Sequence, residues 1–199
     1  KNSLKNSLGC NFIIEDRNKD TVLHFNSYTF ELILQHLSLY GKYAYNKFVP
    51  DLIFNLKKEL QIEFLKGLLQ SDGCCYVGRS NGKKDKPIIG NCTTSKKLME
   101  GITFLYRQLG LLPSIIRSKQ KEHYLKSILI KSNHDKYDIL IGSVNQLLKS
   151  KDIWMDHKNA EEVFNFISKT KNGTDRKYVI DFSKDFQAVK VLKNEKVKT

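Results

Sequence analysis

The stretch IEFLKGLLQSDGCC, residues Ile62–Cys75, decides how the chain is read. Its apolar residues recur at helical spacing, and Asp72-Gly73 stops the helix before a strand. Phe64, Gly67 and Ser71 fall along one face. Gly67 and Ser71 are small residues four apart, a pattern that lets two helix backbones approach closely, and Leu65, Leu68 and Leu69 supply apolar surface. Gly73 occupies the place where a left-handed cap residue is expected. Asp72 is the discordant residue, because a helix C-terminus carries roughly half a negative charge and disfavours a carboxylate. A bound divalent cation removes that conflict, since carboxylate and carbonyl oxygens are the ligands Mg²⁺ takes. Two such helices side by side would bring two carboxylates to metal, the arrangement used for in-line phosphodiester hydrolysis. The plainer reading is that Asp72 only turns the chain, Asp-Gly being a common turn pair.

Composition favours a polyanionic partner. The 199 residues carry 34 Lys and Arg against 21 Asp and Glu, a formal charge of +13. The basic residues are spread along the chain rather than gathered in a tail, so a folded surface with a positive field is expected, with nucleic acid as its first partner. No apolar run reaches the roughly 18 residues of a membrane span, no signal-peptide pattern opens the sequence, and no membrane partner is expected. Cys10, Cys74, Cys75 and Cys92 lack zinc-knuckle spacing and read as thiols of a reducing intracellular compartment. The five histidines show no spacing for a zinc site or a triad. Trp154 reads as the anchor of a satellite core.

Local signals order the rest. CNFIIED and TVLHF read as strands, followed by a helix over Ser27–Gly41 with Ser27 as N-cap. KYAYNKFVPDLIFNL is irregular around Pro50, and the helix of the opening stretch follows. CCYVGRS and KPIIGNCTTS are strands. Ser95 caps a helix that Gly110 ends. SIIRSKQ and HYLKSILIK read as a strand pair, Asn133–Ser150 as a helix, with a strand over YDILIG as the lesser alternative, and NAEEVFNFISK as a short helix. RKYVIDFS and FQAVKVLKNEKVKT read as strands. The middle thus runs helix, two strands, helix, two strands, helix, and the first 40 residues repeat the second half of that order. The expected domains are 1–41, a partial first subdomain; 42–170, a full second one; and 171–199, C-terminal strands.

The nine residues Leu65–Gly73 resemble the signature of the LAGLIDADG homing endonucleases. Leu65, Gly67, Leu68, Asp72 and Gly73 match it, Leu69 and Ser71 are conservative changes, and Lys66 and Gln70 depart. KFVP, residues Lys47–Pro50, resembles the K-x-I-P segment that precedes the second motif in intein-encoded members, with Lys47 twenty-five residues before Asp72. TTSKKLMEGITFLYRQLGLLPSI and the tail DFQAVKVLKNEKVKT resemble the flanking segments of intein endonucleases. The resemblance implies an α+β fold, an αββαββα unit with a saddle-shaped antiparallel sheet. It implies Mg²⁺- or Mn²⁺-dependent cleavage of double-stranded DNA, with Asp72 and the backbone near Ser71 at the metal and Lys47 acting on the phosphate or the attacking water. It also implies a second acid-bearing helix against Phe64, Gly67 and Ser71, from an upstream segment or from a homodimer partner. Residue 1 is not a splicing nucleophile, and no terminal His-Asn is present, so this chain alone is not expected to splice.

The contact strands expected on DNA are Tyr76–Ser80, Ile88–Thr94, Ile115–Lys121 and Tyr124–Lys131, since β-ribbons fit the major groove. Arg79, Lys83, Lys84, Lys86, Arg117, Lys119 and Lys121 are the candidate phosphate or guanine contacts, and Tyr76, Asn81 and Asn91 the candidate readers of base edges. The alternative function is a catalytically inactive nucleic-acid binder of the same fold, either a decayed endonuclease or an RNA-splicing maturase.

Overall fold

A computed structural model describes residues 12–16, 21–25, 27–80, 83–119, 123–125, 128–130, 134–170, 179–181 and 187–189. The chain divides into two compact units, 1–43 and 44–199. In the first, strands β1 (Phe12–Asp16) and β2 (Thr21–Phe25) pair antiparallel. Glu15 and His24 meet across the pair at 2.9 Å. Helix α1 (Tyr28–His36) starts where the Ser27 side chain accepts the Phe30 N–H at 3.2 Å. It ends at Leu37, short of Gly41, because Ser38 already takes a left-handed φ of 54°.

The second unit opens with a 3₁₀ turn at Ala44–Asn46 and the short helix α2 (Asp51–Phe54) behind Pro50. Then follow α3 (Lys58–Asp72), β3 (Gly73–Ser80), β4 (Lys83–Thr93), α4 (Lys96–Gln108) and β5 (Ser114–Ser118). Short strands β6 (His123–Leu125) and β7 (Ile128–Ile130) precede β8 (Lys136–Ile141). Helices α5 (Val144–Lys149), α6 (Lys151–Trp154) and α7 (Ala160–Lys169) come next, and a small hairpin of β9 (Val179–Asp181) and β10 (Gln187–Val189) follows. The main sheet has the order β3-β4-β8-β5 with antiparallel neighbours throughout. This is the expected α+β architecture: α3, β3, β4, α4, β5, β8 and α5 give αββαββα, with the β6–β7 hairpin set between β5 and β8.

Three expectations fail in detail. Residues Lys136–Ile141 form a strand, not the start of a helix. Tyr137, Ile139 and Ile141 are buried while the residues between them are less so, and this period of two is the pattern of a half-buried strand. In consequence β5 pairs with β8, while the segment read as its partner folds into β6 and β7, which pair with each other. Gly73 is extended (φ −87°, ψ 172°) rather than left-handed. A Cβ there would collide with the Leu69 carbonyl oxygen and lie 2.6 Å from Leu69 Cα, so close approach, not turn geometry, calls for glycine.

One face of the main sheet is covered. Cys75, Ile89, Ile139 and Ile141 pack with Leu65 and Leu69 of α3, Ile102, Leu105 and Tyr106 of α4, and Leu147, Trp154 and Val163 beyond β8. Trp154 is fully buried and donates its indole N–H to the Leu147 carbonyl at 2.9 Å, as a core anchor should. Lys66, a departure from the signature, faces α6 and meets Asp156 at 2.5 Å.

Candidate functional site

Helix α3 has two faces of different kind. Leu65 and Leu69 are fully buried against the sheet. Gly67, Ser71 and Asp72 are exposed, Leu60 is half exposed, and Phe64 and Leu68 are partly buried. A Cβ placed on Gly67 would meet nothing within 4 Å, so no part of the described chain uses the close approach that this glycine permits. Ser71 turns its hydroxyl onto the helix, donating to the Leu68 carbonyl at 3.2 Å.

The chain brings Lys47 to the C-terminal end of α3. From Lys47 it passes Pro50 and α2, then runs the 15 residues of α3, about 22 Å, to Asp72. Lys47 Nζ lies 3.9 Å from Asp72 Oδ2. Both side chains reach water, 50% and 74% exposed, so the pair adds at most about 1 kcal/mol to stability. The two residues share a cavity of about 230 Å³ with Leu68, Asn91, Cys92 and Thr93 among its lining. Two titratable groups near it are shifted by burial. The Tyr106 phenol is pushed up and stays protonated, and the Cys92 thiol is also raised.

Among the described residues no three His, Cys, Asp or Glu side chains gather as a metal cluster. The donor set is therefore one exposed carboxylate with helix-end carbonyls. That set fits Mg²⁺ or Mn²⁺, which bind through one or two carboxylates, keep several waters and share substrate phosphates. It does not fit a closed zinc cage.

The expected DNA-contact residues are placed unevenly. The face of the sheet away from the helices carries Cys74, Tyr76 and Lys86, which register alongside Gly90, Ile88 and Gly78, and continues through Asp138, Lys136 and Ile116. Tyr76, Lys86 and Ile116 are exposed there. Arg79 sits where the β3–β4 ladder slips, and Lys83 and Lys84 begin β4; their side chains are outside the described set. Lys119 is exposed just past β5. Arg117 registers with Tyr137, on the covered side, and is exposed but bound to Asp135, its Nε 2.6 Å from the carboxylate. Asn81 and Lys121 lie outside the described residues. Asn91 does not present a base-reading edge: it is 4% exposed and hydrogen-bonded to Leu68 and Tyr106. Lys136 and Asp138, ion-paired at 3.0 Å on the open face, were missed because their strand reads as helix. The alternation K-Y-D-I-L-I was the signal that would have found them.

An exposed carboxylate and lysine at the end of a helix with an open small-residue face, beside an antiparallel sheet, can be compared with known proteins. Residues 59–148 match the LAGLIDADG-like domain. The match supports the LAGLIDADG homing endonuclease family, whose members are generally nucleases, and points to a homing endonuclease or a related nucleic-acid-binding protein. Curated relatives extend the likeness. An uncharacterized protein of Methanocaldococcus jannaschii is 27% identical over 162 residues, 81% of this chain and 17% of that protein. The replicative DNA helicase DnaB of Rhodothermus marinus is 35% identical over 78 residues, 39% of this chain and 8% of the helicase. DnaB of Synechocystis is 32% identical over 78 residues, 39% of this chain and 9% of that protein. The chain thus spans less than a fifth of the length of these relatives. Among the described residues no helix is long and apolar enough to cross a membrane.

Proposed function

We propose that this chain is part of an intein-encoded, Mg²⁺-dependent homing endonuclease that cuts both strands of a double-stranded DNA site. The observation that carries the reading is the approach of Lys47 to Asp72 at the end of α3, 3.9 Å across a shared cavity. Asp72 is the residue to hold the divalent cation, with backbone oxygens near Ser71 assisting. When bound, such a cation supplies charge neutralisation at phosphate and a nucleophilic water. Lys47 places a fixed positive charge beside the same point and offsets the charge that develops on phosphate. A second acid-bearing helix packs on Phe64, Gly67 and Ser71 and completes the metal site. It comes from an upstream segment or from a second copy. The exposed sheet face with Tyr76 and Lys86 meets the major groove, and Arg79, Lys83, Lys84, Lys119 and Lys121 are the basic residues assigned to phosphates. Short matches inside much longer proteins, helicases among them, are what an element inserted in a host protein would give. On this reading, residues 1–41 belong to a first subdomain, 42–170 to the second, and 171–199 lead towards splicing segments.

The test uses the full-length protein, Mg²⁺ and DNA carrying the uninterrupted host-gene site. Asp72→Asn and Lys47→Ala should each lower cleavage by roughly 10²-fold or more. Both should retain DNA binding, and stability should change by under about 1 kcal/mol, given the exposure of the pair. Cleavage by Asp72→Asn at the wild-type rate would refute the assignment.

A further inference from the structure

The Lys47–Asp72 separation needs an explanation that attraction does not supply. Both side chains are at least half exposed, and a solvated ion pair of this kind barely outweighs the rotamer freedom it removes. The separation is therefore set by where the two backbones are held. Lys47 and Asp72 lie on different segments, and both segments are tied to the same short stretch, Asn91–Ser95, at the end of β4 and the start of α4.

Ser95 holds the Lys47 side. It is 1% exposed. Its hydroxyl accepts the Leu98 N–H at 3.2 Å, capping α4, and donates its own proton to the Lys47 carbonyl at 2.5 Å. Its backbone N–H donates to Thr93 Oγ1 at 3.0 Å, which fixes the cap itself. Two residues on, Val49 seats against α4 at Gly101, where a Cβ would lie 2.7 Å from Val49 Cγ2. The segment carrying Lys47 is thereby fastened at two points.

Asn91 holds the Asp72 side. It is 4% exposed. Its amide donates to the Leu68 carbonyl, in the last turn of α3, at 3.2 Å, and its Oδ1 accepts the Tyr106 hydroxyl at 3.5 Å. Tyr106 is fully buried, and burial raises its phenol pKa, so the hydroxyl keeps the proton it donates to Asn91. Gly73, the residue after Asp72, also pairs with Asn91 in the sheet.

We propose that Ser95 and Asn91 are positioning residues: from the two ends of one rigid five-residue stretch they fix the distance between Lys47 and Asp72, and through it the turnover of the site. This rests on the endonuclease reading for its consequence, not for its geometry. A displacement of about 1 Å at a reacting centre can lower turnover by roughly 10²-fold without touching substrate affinity.

The closing experiment reads the geometry and the chemistry separately. In the full-length protein a water-soluble carbodiimide activates the Asp72 carboxylate. The Lys47 amine then displaces the activator as its urea, leaving an amide joining the two side chains, which mass spectrometry maps. The Lys66–Asp156 pair, at 2.5 Å and away from the stretch, is the internal control for an intact fold. Ser95→Ala and Asn91→Ala should each lower the 47–72 product by about fivefold relative to the 66–156 product, and Ser95→Thr, which keeps the hydroxyl, should restore it. The same Ala variants should lose about tenfold or more in kcat with KM for DNA within about twofold. An unchanged 47–72 to 66–156 ratio in both Ala variants overturns the proposal, whatever their activity. A lowered ratio supports it even if the wild-type protein cuts no DNA, a result that would refute the endonuclease reading alone.

Discussion

Replacing Gly67 by Ala separates what α3 does inside the chain from what it does with a partner. Gly67 is exposed in the middle of a 15-residue helix, and an added methyl would meet nothing within 4 Å. Ala is favoured over Gly in a helix interior by about 0.8–1.0 kcal/mol. For a unit of this size that raises the melting temperature by about 2–4 °C. A helix docked on Phe64, Gly67 and Ser71 would feel the opposite effect, since the methyl holds the two backbones apart. If that contact positions the second acid, cleavage should fall by about tenfold, or 1.4 kcal/mol. Melting is measured by circular dichroism on this 199-residue chain at low concentration, and cleavage on the protein with the partner helix present. A lower melting temperature would show that the chain itself fills the space beside Gly67. Unchanged cleavage would show that no helix packs there, and the pairing argument would fall.

Further expectations follow from burial and charge. Cys92 is exposed, whereas burial pushes the Cys75 thiol up to about 11, leaving about one thiolate in a thousand at pH 8; maleimide labelling read by peptide mapping should modify Cys92 at least tenfold faster, and equal rates would contradict the packing of β3. His157 accepts the Asn159 N–H on Nδ1, and burial holds its pKa below the ordinary histidine value. Its unfolded form takes up a proton first, so its contribution to stability is intact above about pH 6.5 and is lost as pH falls towards the depressed folded value. Melting followed from pH 7 to pH 5 should show that loss, and His157→Gln should flatten it. Gly101→Ala should destabilise the protein by about 1–3 kcal/mol in urea denaturation, because the new methyl meets Val49 at 2.7 Å; a neutral result would show that Val49 is free to move.

Much of this was legible in the sequence because local signals agreed with tertiary demands. Ser27 and Ser95 announced helix starts by their capping chemistry, and both side chains accept the N–H three residues on. The motif helix ended where Asp72-Gly73 said it would. The family resemblance assigned Lys47 and Asp72 to one site, and the path through Pro50 and α2 leaves the two side chains 3.9 Å apart. The illegible parts depend on distant neighbours. Lys136–Ile141 joins β4 and β5 by pairing on both sides, something no local window contains. Asn91 looked like a surface reader of bases because its burial comes from Leu68 and Tyr106, 23 and 15 residues away. Gly73 carried a turn signal, yet its reason is the Leu69 carbonyl pressed against it.

The core does not stop where family likeness stops. The match to the LAGLIDADG-like domain ends at residue 148, but Ile153, Trp154, Ala160, Val163 and Ile167 lie beyond it and are nearly solvent-free. Asp156, also beyond it, grips Lys66 on the rear of the motif helix. A fragment trimmed to the recognisable segment would expose the underside of β3 and leave Lys66 without that carboxylate. The smallest piece that can be handled in isolation therefore has to run at least to the end of α7. A failed expression of anything shorter would report a severed interior.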